Sequence, residues 1–133
     1  MPYKRSEDEF VLAVMSANLL TAAAGDALTD AARRMADRRV GAILVTDGTA
    51  LTGIMTERDV LRAVGRGSID GTVGDWMTPH PDTAPETATI GQAAAMMVHG
   101  GYRHVPIVNG DHLVGIVSIR DLLNLPSETP SGV

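Results

Sequence analysis

The chain contains no cysteine, which excludes several kinds of chemistry at once. Without thiols there is no structural disulfide, no thiolate nucleophile and no zinc site built on cysteine ligands. Aromatic residues make up only 3% of the chain, whereas hydrophobic residues of all kinds make up 44%. The core must therefore be aliphatic, built from alanine, valine, isoleucine, leucine and methionine.

Long hydrophobic runs are absent as well. The opening stretch, MPYKRSEDEF, has no apolar run of the signal-peptide type, and no later stretch is long enough to span a bilayer. We therefore expect a soluble, cytoplasmic protein with no membrane contact. The formal net charge of −5 argues against electrostatic capture of nucleic acid, although a local basic pocket remains compatible with it.

What the chain does have is an internal repeat. GIMTERD, at residues 53–59, returns as GIVSIRD at residues 115–121, a shift of 62 positions (115 minus 53). The same shift places Met15 on Met77 and Met35 on Met97 without a gap. Two copies of one supersecondary unit, at 14–64 and 76–125, explain this match, and a glycine-rich linker joins them at 65–75.

The first helix of each copy is predicted from hydrophobic spacing. Apolar residues recur at positions i, i+3, i+4 and i+7, which puts them on one face of a helix. They are Leu28, Ala31, Ala32 and Met35 in copy one and Ile90, Ala93, Ala94 and Met97 in copy two. We expect Asp26 to cap the first of these helices, and Thr89 or Thr87 to cap the second.

A β-hairpin is predicted after each of these helices. Asp47-Gly48 and Asn109-Gly110 separate β-rich runs, which is a strong hairpin signal. A short extended segment precedes the helix and a second helix follows the hairpin, so each copy reads β-α-β-β-α. The hairpin argues against a Rossmann sheet. We predict an α+β fold in which two sheets pack face to face with helices outside.

The two ends of the chain differ from the repeats. Residues 6–9 read Ser-Glu-Asp-Glu, a capping-box pattern that predicts a helix continuing into Phe10, Val11, Leu12 and Met15. We therefore predict a helical N-terminal extension over residues 1–13. The polar residues 126–133 are predicted to form a disordered tail.

The repeated motif has two interpretations. Thr56-x-x-Asp59 and Ser118-x-x-Asp121 match a helix N-cap signature, which adds about 1 kcal/mol of stability and needs no further role. Alternatively, free backbone N–H groups at a strand-to-helix junction attract anions, and a carboxylate there can accept hydrogen bonds from a ribose diol. A glycine stands three residues before each hydroxyl residue and leaves room for close approach. The occurrence of the whole pattern twice favours the binding interpretation.

With these motifs identified, the sequence resembles the tandem cystathionine β-synthase (CBS) domain pair, or Bateman module. VMS…GIMTERD and WMT…RHVPIV…LVGIVSIRD match the family pattern over residues 14–125. The resemblance implies a pseudo-twofold pair of βαββα repeats that binds adenine nucleotides in clefts between the repeats and does no chemistry itself. We therefore expect a stand-alone sensor of AMP, ADP, ATP or an adenosyl ligand. It needs no cofactor, and it acts through conformational change on an unidentified partner.

The resemblance also implies site residues, taken over position by position. Cleft A combines Ile54, Thr56, Arg58 and Asp59 of copy one with Thr83, Ala84, Tyr102, Arg103 and His104 of copy two. Cleft B combines Ile116, Ser118, Arg120 and Asp121 of copy two with Thr21, Ala22, Val40, Gly41 and Ala42 of copy one. Arg103 and His104 match the basic pair that meets phosphates in the family, so cleft A is expected to prefer the more highly charged ligands. Without the family, Arg103 would be interpreted as a solvated strand-edge charge.

Other functions find less support in the chain. A ligand-independent interaction module is the main alternative, in which the aspartates are caps and side chains fill the clefts. Four histidines share no metal-ligand spacing, and no nucleophile–base pair indicates an enzyme; they are His80, His99, His104 and His112. Apolar residues on the second helices predict a homodimer; they are Val60, Leu61, Val64, Leu122 and Leu123.

Overall fold

Residues 6–123 are described by the computed structural model, and the predicted tail at 126–133 lies outside this range. The chain divides into two units. The repeat-1 unit holds Asn18–Asp82 together with Asp111–Leu113. The repeat-2 unit holds the N-terminal segment up to Ala17, then Thr83–Gly110 and the chain from Val114 onward. Within residues 6–123, no helix has the length and apolar character needed to cross a membrane.

The repeat-1 unit is built on a four-stranded sheet with the order β1-β2-β3-β4. Strand β1 runs parallel to β2, whereas β3 is antiparallel to both of its neighbours. The elements in chain order are β1 Thr21–Ala22, α1 Leu28–Arg38, β2 Ala42–Asp47, β3 Ala50–Thr56, α2 Glu57–Gly65, α3 Val73–Trp76 and β4 Thr78–Pro79.

The repeat-2 unit has a three-stranded sheet with the order β5-β6-β7, in which β5 and β6 are parallel. Its elements are a 3-10 helix Val11–Ala13, β5 Ala84–Pro85, α4 Ile90–Gly100, β6 His104–Asn109, β7 His112–Ser118 and α5 Ile119–Leu122, where the part of β7 from Val114 onward belongs to this unit. An isolated antiparallel bridge joins Ser16 to Ile116 of β7. It corresponds to the β3–β4 pairing, in which Thr78 faces Ile54.

The first helix of each repeat buries the face that its hydrophobic spacing predicts. Leu28, Ala31 and Met35 of α1 are buried in the core of the repeat-1 unit. Ile90, Ala93 and Met97 of α4 are buried in the core of the repeat-2 unit. This burial fixes the orientation of α1 on its sheet, because only one stripe of that helix is apolar. Helix α4 also carries apolar residues on its outer face, of which Val98 is 80% exposed.

The predicted helix caps are half right. Thr89 caps α4: its Oγ1 accepts a hydrogen bond from Gln92 N at 3.1 Å, while Gln92 Oε1 accepts one from Thr89 N at 2.9 Å. The prediction for Asp26 is wrong. Helix α1 starts at Leu28, so Ala27 occupies the cap position, and Asp26 Oδ2 instead accepts a hydrogen bond from Ala23 N at 3.0 Å. The side chain of Asp26 therefore stabilises the turn before the helix.

Both predicted hairpins are present, and both turns need a glycine. Gly48 and Gly110 adopt positive φ angles of 63° and 61°, a backbone conformation that other residues rarely adopt. The first turn is centred on Gly48 and Thr49, one residue later than predicted, because Asp47 still pairs with Ala50.

Residues 1–5 of the predicted N-terminal helix lie outside the described range, and over the described residues the prediction is wrong beyond the first turn. Glu9 Oε2 accepts a hydrogen bond from Ser6 N at 3.0 Å, as in a capping box. The chain then extends along the repeat-2 unit: Phe10 forms a bridge with Thr89, and Val11 N donates to Ala88 O at 2.8 Å. These backbone bonds compete with an α-helix, and only a single 3-10 turn remains.

The segments that lead into the two copies are built into the units. Val11 and Val73, 62 positions apart, are each fully buried, the first in the repeat-2 unit and the second in the repeat-1 unit. Val73 N donates to Asp26 O at 2.9 Å, and Leu28 N donates to Gly71 O at 3.0 Å. The end of the predicted linker thus supplies part of the core on which α1 packs.

Candidate functional site

In the repeat-1 unit, β3 runs directly into α2 at the repeated motif. Thr56 is the N-cap, and Asp59 stands at the third helical position. Asp59 Oδ2 accepts a hydrogen bond from Thr56 N at 2.9 Å and one from Thr56 Oγ1 at 3.2 Å. The motif therefore caps its helix, as the capping interpretation predicts. A ligand would have to bind the acceptor sites of the carboxylate that the cap leaves unused.

The second oxygen of Asp59 is also occupied. Arg62 Nη1 donates to Asp59 Oδ1 at 3.0 Å, and the Arg62 guanidinium carbon lies 5.5 Å from the ring centroid of Trp76. Asp59 is only 6% exposed, and among residues 6–123 it is the one charged residue that is buried. Sequence reasoning missed Arg62 and Trp76. The i, i+3 spacing of Asp59 and Arg62 was the available signal for the first contact.

The repeat-2 unit has the same junction between β7 and α5, in more open surroundings. Asp121 Oδ2 accepts hydrogen bonds from Ser118 N at 2.8 Å and from Ser118 Oγ at 3.1 Å. Asp121 is half-buried, and no donor within residues 6–123 is hydrogen-bonded to its Oδ1. Among residues 6–123, Oδ1 of Asp121 therefore has no hydrogen-bond donor, unlike Oδ1 of Asp59.

The start of each of these helices is tied to the loop before the hairpin of the same repeat. Glu57 N donates to Gly41 O at 3.0 Å, and Ile119 N donates to Arg103 O at 2.9 Å. In the repeat-2 unit this brings the backbone of Arg103 to the helix that bears Arg120. The side chains of both arginines are exposed, and their residues belong to the two segments that this backbone hydrogen bond joins.

The corresponding position in the repeat-1 unit has a different charge pattern. Gly41 replaces Arg103, and the acidic Glu57 replaces Ile119 at the first helical residue. The two arginines of α2 therefore stand with two carboxylates, those of Glu57 and Asp59. An anionic ligand finds a more favourable local field in the repeat-2 unit.

The glycines of the motif serve a different purpose from the one predicted. A Cβ atom at Gly53 would lie 2.5 Å from Met77 Sδ and 3.1 Å from Thr78 O. A Cβ atom at Gly115 would collide with Met15 Sδ and lie 3.1 Å from Ser16 O. Each glycine makes room for the segment that leads into the other copy. The group that lies close to the glycine is therefore another part of the same chain.

Most of the remaining predicted site residues lie on, or immediately before, the first two strands of each repeat. Thr21 and Ala22 form β1, where Arg34 Nη2 donates to Thr21 O at 2.6 Å. The ring of Tyr102 lies against Gly100, where an added Cβ would collide with it. The sequence analysis did not predict this contact of Arg34.

Each predicted cleft draws its residues from both units, and that pairing stays a prediction. The repeat-1 unit holds Ile54, Thr56, Arg58 and Asp59 with Thr21, Ala22, Val40, Gly41 and Ala42. The repeat-2 unit holds Ile116, Ser118, Arg120 and Asp121 with Thr83, Ala84, Tyr102, Arg103 and His104. Within each unit, the helix motif is hydrogen-bonded to the loop of its own repeat.

Comparison with known proteins identifies the family. The family model for the CBS domain matches the chain twice, at residues 11–66 and 73–128. The chain belongs to the CBS-domain family. The two matches are in tandem, which confirms the predicted pair. They begin at Val11 and at Val73, the two buried valines of the segments that lead into the copies.

Individual relatives of this CBS pair are similar in sequence and fold. An uncharacterized 17.7 kDa protein from the bps2 3′ region of Acidianus ambivalens is 36% identical over 97 residues, which are 71% of this chain and 59% of that protein. The CBS domain protein PAE2072 from Pyrobaculum aerophilum, solved in complex with AMP, is 28% identical with a TM-score of 0.82. The aligned region covers 87% of this chain and 92% of that one.

A third relative extends the range of ligands seen in similar proteins. The CBS domain pair of protein MJ0100 was solved with 5′-methylthioadenosine and S-adenosyl-L-methionine. It is 25% identical with a TM-score of 0.80, over 85% of this chain and 91% of that one. Together these structures confirm the predicted α+β fold of a CBS pair.

The described part of this CBS pair offers little to a metal ion. Among residues 6–123, no group of three or more histidine, aspartate or glutamate side chains is placed to hold one. The polar groups that the structure does bring together are the capping carboxylates and the arginines beside them, which suit hydrogen bonding to hydroxyl and phosphate groups.

Proposed function

We propose that this CBS pair is a regulatory module that binds an adenine nucleotide or a related adenosyl ligand. Family membership supports the proposal, and so do two relatives that were solved with AMP or with adenosyl compounds. Binding biases the conformation of the module, and an unidentified partner protein reads that change. The ligand has to bind one conformation better than the other, because a ligand with equal affinity for both shifts nothing.

The main support for the proposal is the hydrogen bonding of Asp121 in the motif of copy two. Asp121 holds its helix cap with Oδ2, and Oδ1 is left to accept a hydroxyl of a ribose diol. Arg103 and Arg120 belong to the loop and the helix that meet at the same helix start, and their planar guanidinium groups can bind a phosphate group in a bidentate manner. The proposal therefore groups Arg103 with Asp121 of its own repeat, whereas the predicted cleft A grouped it with Asp59.

The alternative is a ligand-independent interaction module, and one observation favours it. The same capping geometry occurs outside the repeated motif, where no ligand is implied. Asp75 Oδ2 accepts a hydrogen bond from Thr72 N at 3.0 Å at the start of α3, and Gln92 does the same for Thr89. Capping alone is thus sufficient to explain a hydroxyl residue followed by an acid.

A thermal-shift screen with AMP, ADP, ATP, S-adenosylmethionine and NAD separates the two functions. A ligand at about 100 times its Kd stabilises the folded state by about 2.7 kcal/mol, which raises the melting temperature by several degrees. The matched control is 2′,3′-dideoxyadenosine, which lacks the diol and is expected to give a smaller shift than adenosine. No shift with any adenosyl compound would favour the interaction module.

A further inference from the structure

The two copies of the motif treat their aspartates differently. Asp59 accepts hydrogen bonds at both carboxylate oxygens, from Thr56 at Oδ2 and from Arg62 at Oδ1, and it is 6% exposed. Asp121 is half-buried, and its bonds within the described chain go to Oδ2 alone. Within residues 6–123, the two motifs therefore differ at Oδ1, the oxygen that a ribose diol would use.

Arg62 is the residue that makes the difference. Its guanidinium is held from two sides, by Asp59 Oδ1 at 3.0 Å and by the face of Trp76 at 5.5 Å from the ring centroid. Displacing this guanidinium removes a charge-assisted hydrogen bond and a cation–π contact together. A diol hydroxyl that approaches Asp59 must compete with both.

The sequence of copy two contains no equivalent cation. The position 62 residues after Arg62 is Asn124, which is uncharged and lies outside the described residues. The position 62 residues before Trp76 is Val14, which has no aromatic ring for a guanidinium group to stack on. Neither the ion pair nor the stacking can form with these residue types.

We propose that Arg62 determines which motif is occupied: it keeps Asp59 closed to a diol, so that the motif of copy two is the one that binds. This inference rests on the proposed function of the module. It assigns Asp59 to helix capping and to anchoring Arg62, and it makes Arg62 a specificity-determining residue. It also predicts that removing one guanidinium adds a binding site to the chain.

Calorimetric titration with AMP tests this by stoichiometry. The wild-type chain is expected to bind one AMP, and Arg62→Gln to bind two. Arg66→Gln is the matched control, since it removes an exposed arginine four residues further along the chain and leaves Asp59 paired. Arg62 is half-exposed, so we expect Arg62→Gln to fold, and its cooperative melting checks this.

A double variant makes the test independent of counting sites. Asp121→Ala alone is expected to weaken AMP binding by at least about tenfold, because it removes a charge-assisted contact. Asp121→Ala combined with Arg62→Gln is expected to recover binding through Asp59. Two sites in the wild-type chain, or no recovery in the double variant, would overturn the inference.

The titration also separates this inference from the proposed function. If the wild-type chain binds no AMP but Arg62→Gln does, the binding role of copy two is wrong and the role of Arg62 stands. If neither protein binds AMP, both the proposed function and the inference are wrong.

Discussion

Asp59 and Asp121 occupy the same place in the repeat and make the same cap, yet their surroundings give them different chemistry. A carboxylate has two oxygens and about four acceptor sites, so one side chain can serve a helix start and a ligand at once. That dual use requires one oxygen to remain accessible. Among residues 6–123, no donor is hydrogen-bonded to Oδ1 of Asp121, whereas Arg62 and burial restrict access to Oδ1 of Asp59.

At the residue scale, Arg103 is predicted to read phosphate. Its carbonyl accepts a hydrogen bond from Ile119 N at 2.9 Å, so Arg103→Ala keeps this backbone contact and removes only the exposed cation. We expect Arg103→Ala to reduce affinity for ATP and ADP more than for adenosine, and to flatten the salt dependence of binding. Titrations with adenosine, AMP and ATP at two salt concentrations measure this.

The control for Arg103 is Arg38→Ala, which removes an exposed arginine from the last turn of α1. It is expected to leave the preference among the three ligands unchanged. An equal loss of affinity for adenosine, AMP and ATP in Arg103→Ala would mean that Arg103 does not contact phosphate.

At the element scale, the segments that lead into each copy are structural parts of the units. The β4 segment pairs with β3, and Ser16 pairs with β7 in the corresponding place. Gly53 and Gly115 provide the space for Met77 and Met15 at these contacts. The motif glycines and the leading segments therefore form one structural feature, repeated in the two units.

Val11 is predicted to stabilise the repeat-2 unit from the N-terminal segment. Its side chain is fully buried, so Val11→Ala removes two buried methyl groups and leaves a cavity, at a cost of about 2 kcal/mol of unfolding free energy. Its neighbour provides a control: Leu12 is 53% exposed, and Leu12→Ala is expected to be nearly neutral. Urea unfolding of the two variants makes the comparison, and equal stabilities would show that the N-terminal segment is dispensable.

The regular elements could be predicted from the sequence because their signals are local. Helical spacing identified the buried faces of α1 and α4, and Gly48 and Gly110 marked the hairpins. The capping boxes at Thr56 and Ser118 were visible for the same reason.

The packing of the leading segments could not be predicted in this way. Helix propensity favoured a helix after residue 6, whereas backbone pairing with Ala88, 77 residues away from Val11 (88 minus 11), decides the conformation. The match of Val11 with Val73 was the available signal for a shared role. The contact of Arg62 with Asp59 is supported by Trp76, which lies in the segment leading into copy two. Helix and strand periodicity in the sequence does not predict a contact with such a segment.

At the scale of the whole molecule, the negative net charge opposes the binding of an anionic ligand, and only nearby cations can offset it. The chain has a formal net charge of −5, so the general field repels a nucleotide. Local cations at a helix start must provide the attraction, and Arg103 with Arg120 are placed to do so. Binding in this module is therefore expected to depend on a few side chains.

Homodimerisation is also predicted at this scale. Leu61 and Val64 of α2 are 71% and 56% exposed, and Leu123 is 62% exposed, whereas Leu122 is buried within its own unit. Exposed apolar side chains of this size favour contact with a second copy. We expect a dimer by analytical ultracentrifugation at micromolar concentration, and Leu61→Glu to shift it towards monomer. A wild-type chain that sediments as a monomer would contradict the prediction.

The binding role of Asp121 is tested most directly by calorimetry of AMP with two matched variants, Asp121→Ala and Asp75→Ala. Both variants remove a capping carboxylate from a helix start, and each is expected to lose up to about 1 kcal/mol of stability. We expect Asp121→Ala also to weaken AMP binding by about 1.5–3 kcal/mol, whereas Asp75→Ala binds AMP as the wild type does. Unchanged affinity in Asp121→Ala, together with a lowered melting temperature, would show that the motif only caps its helix.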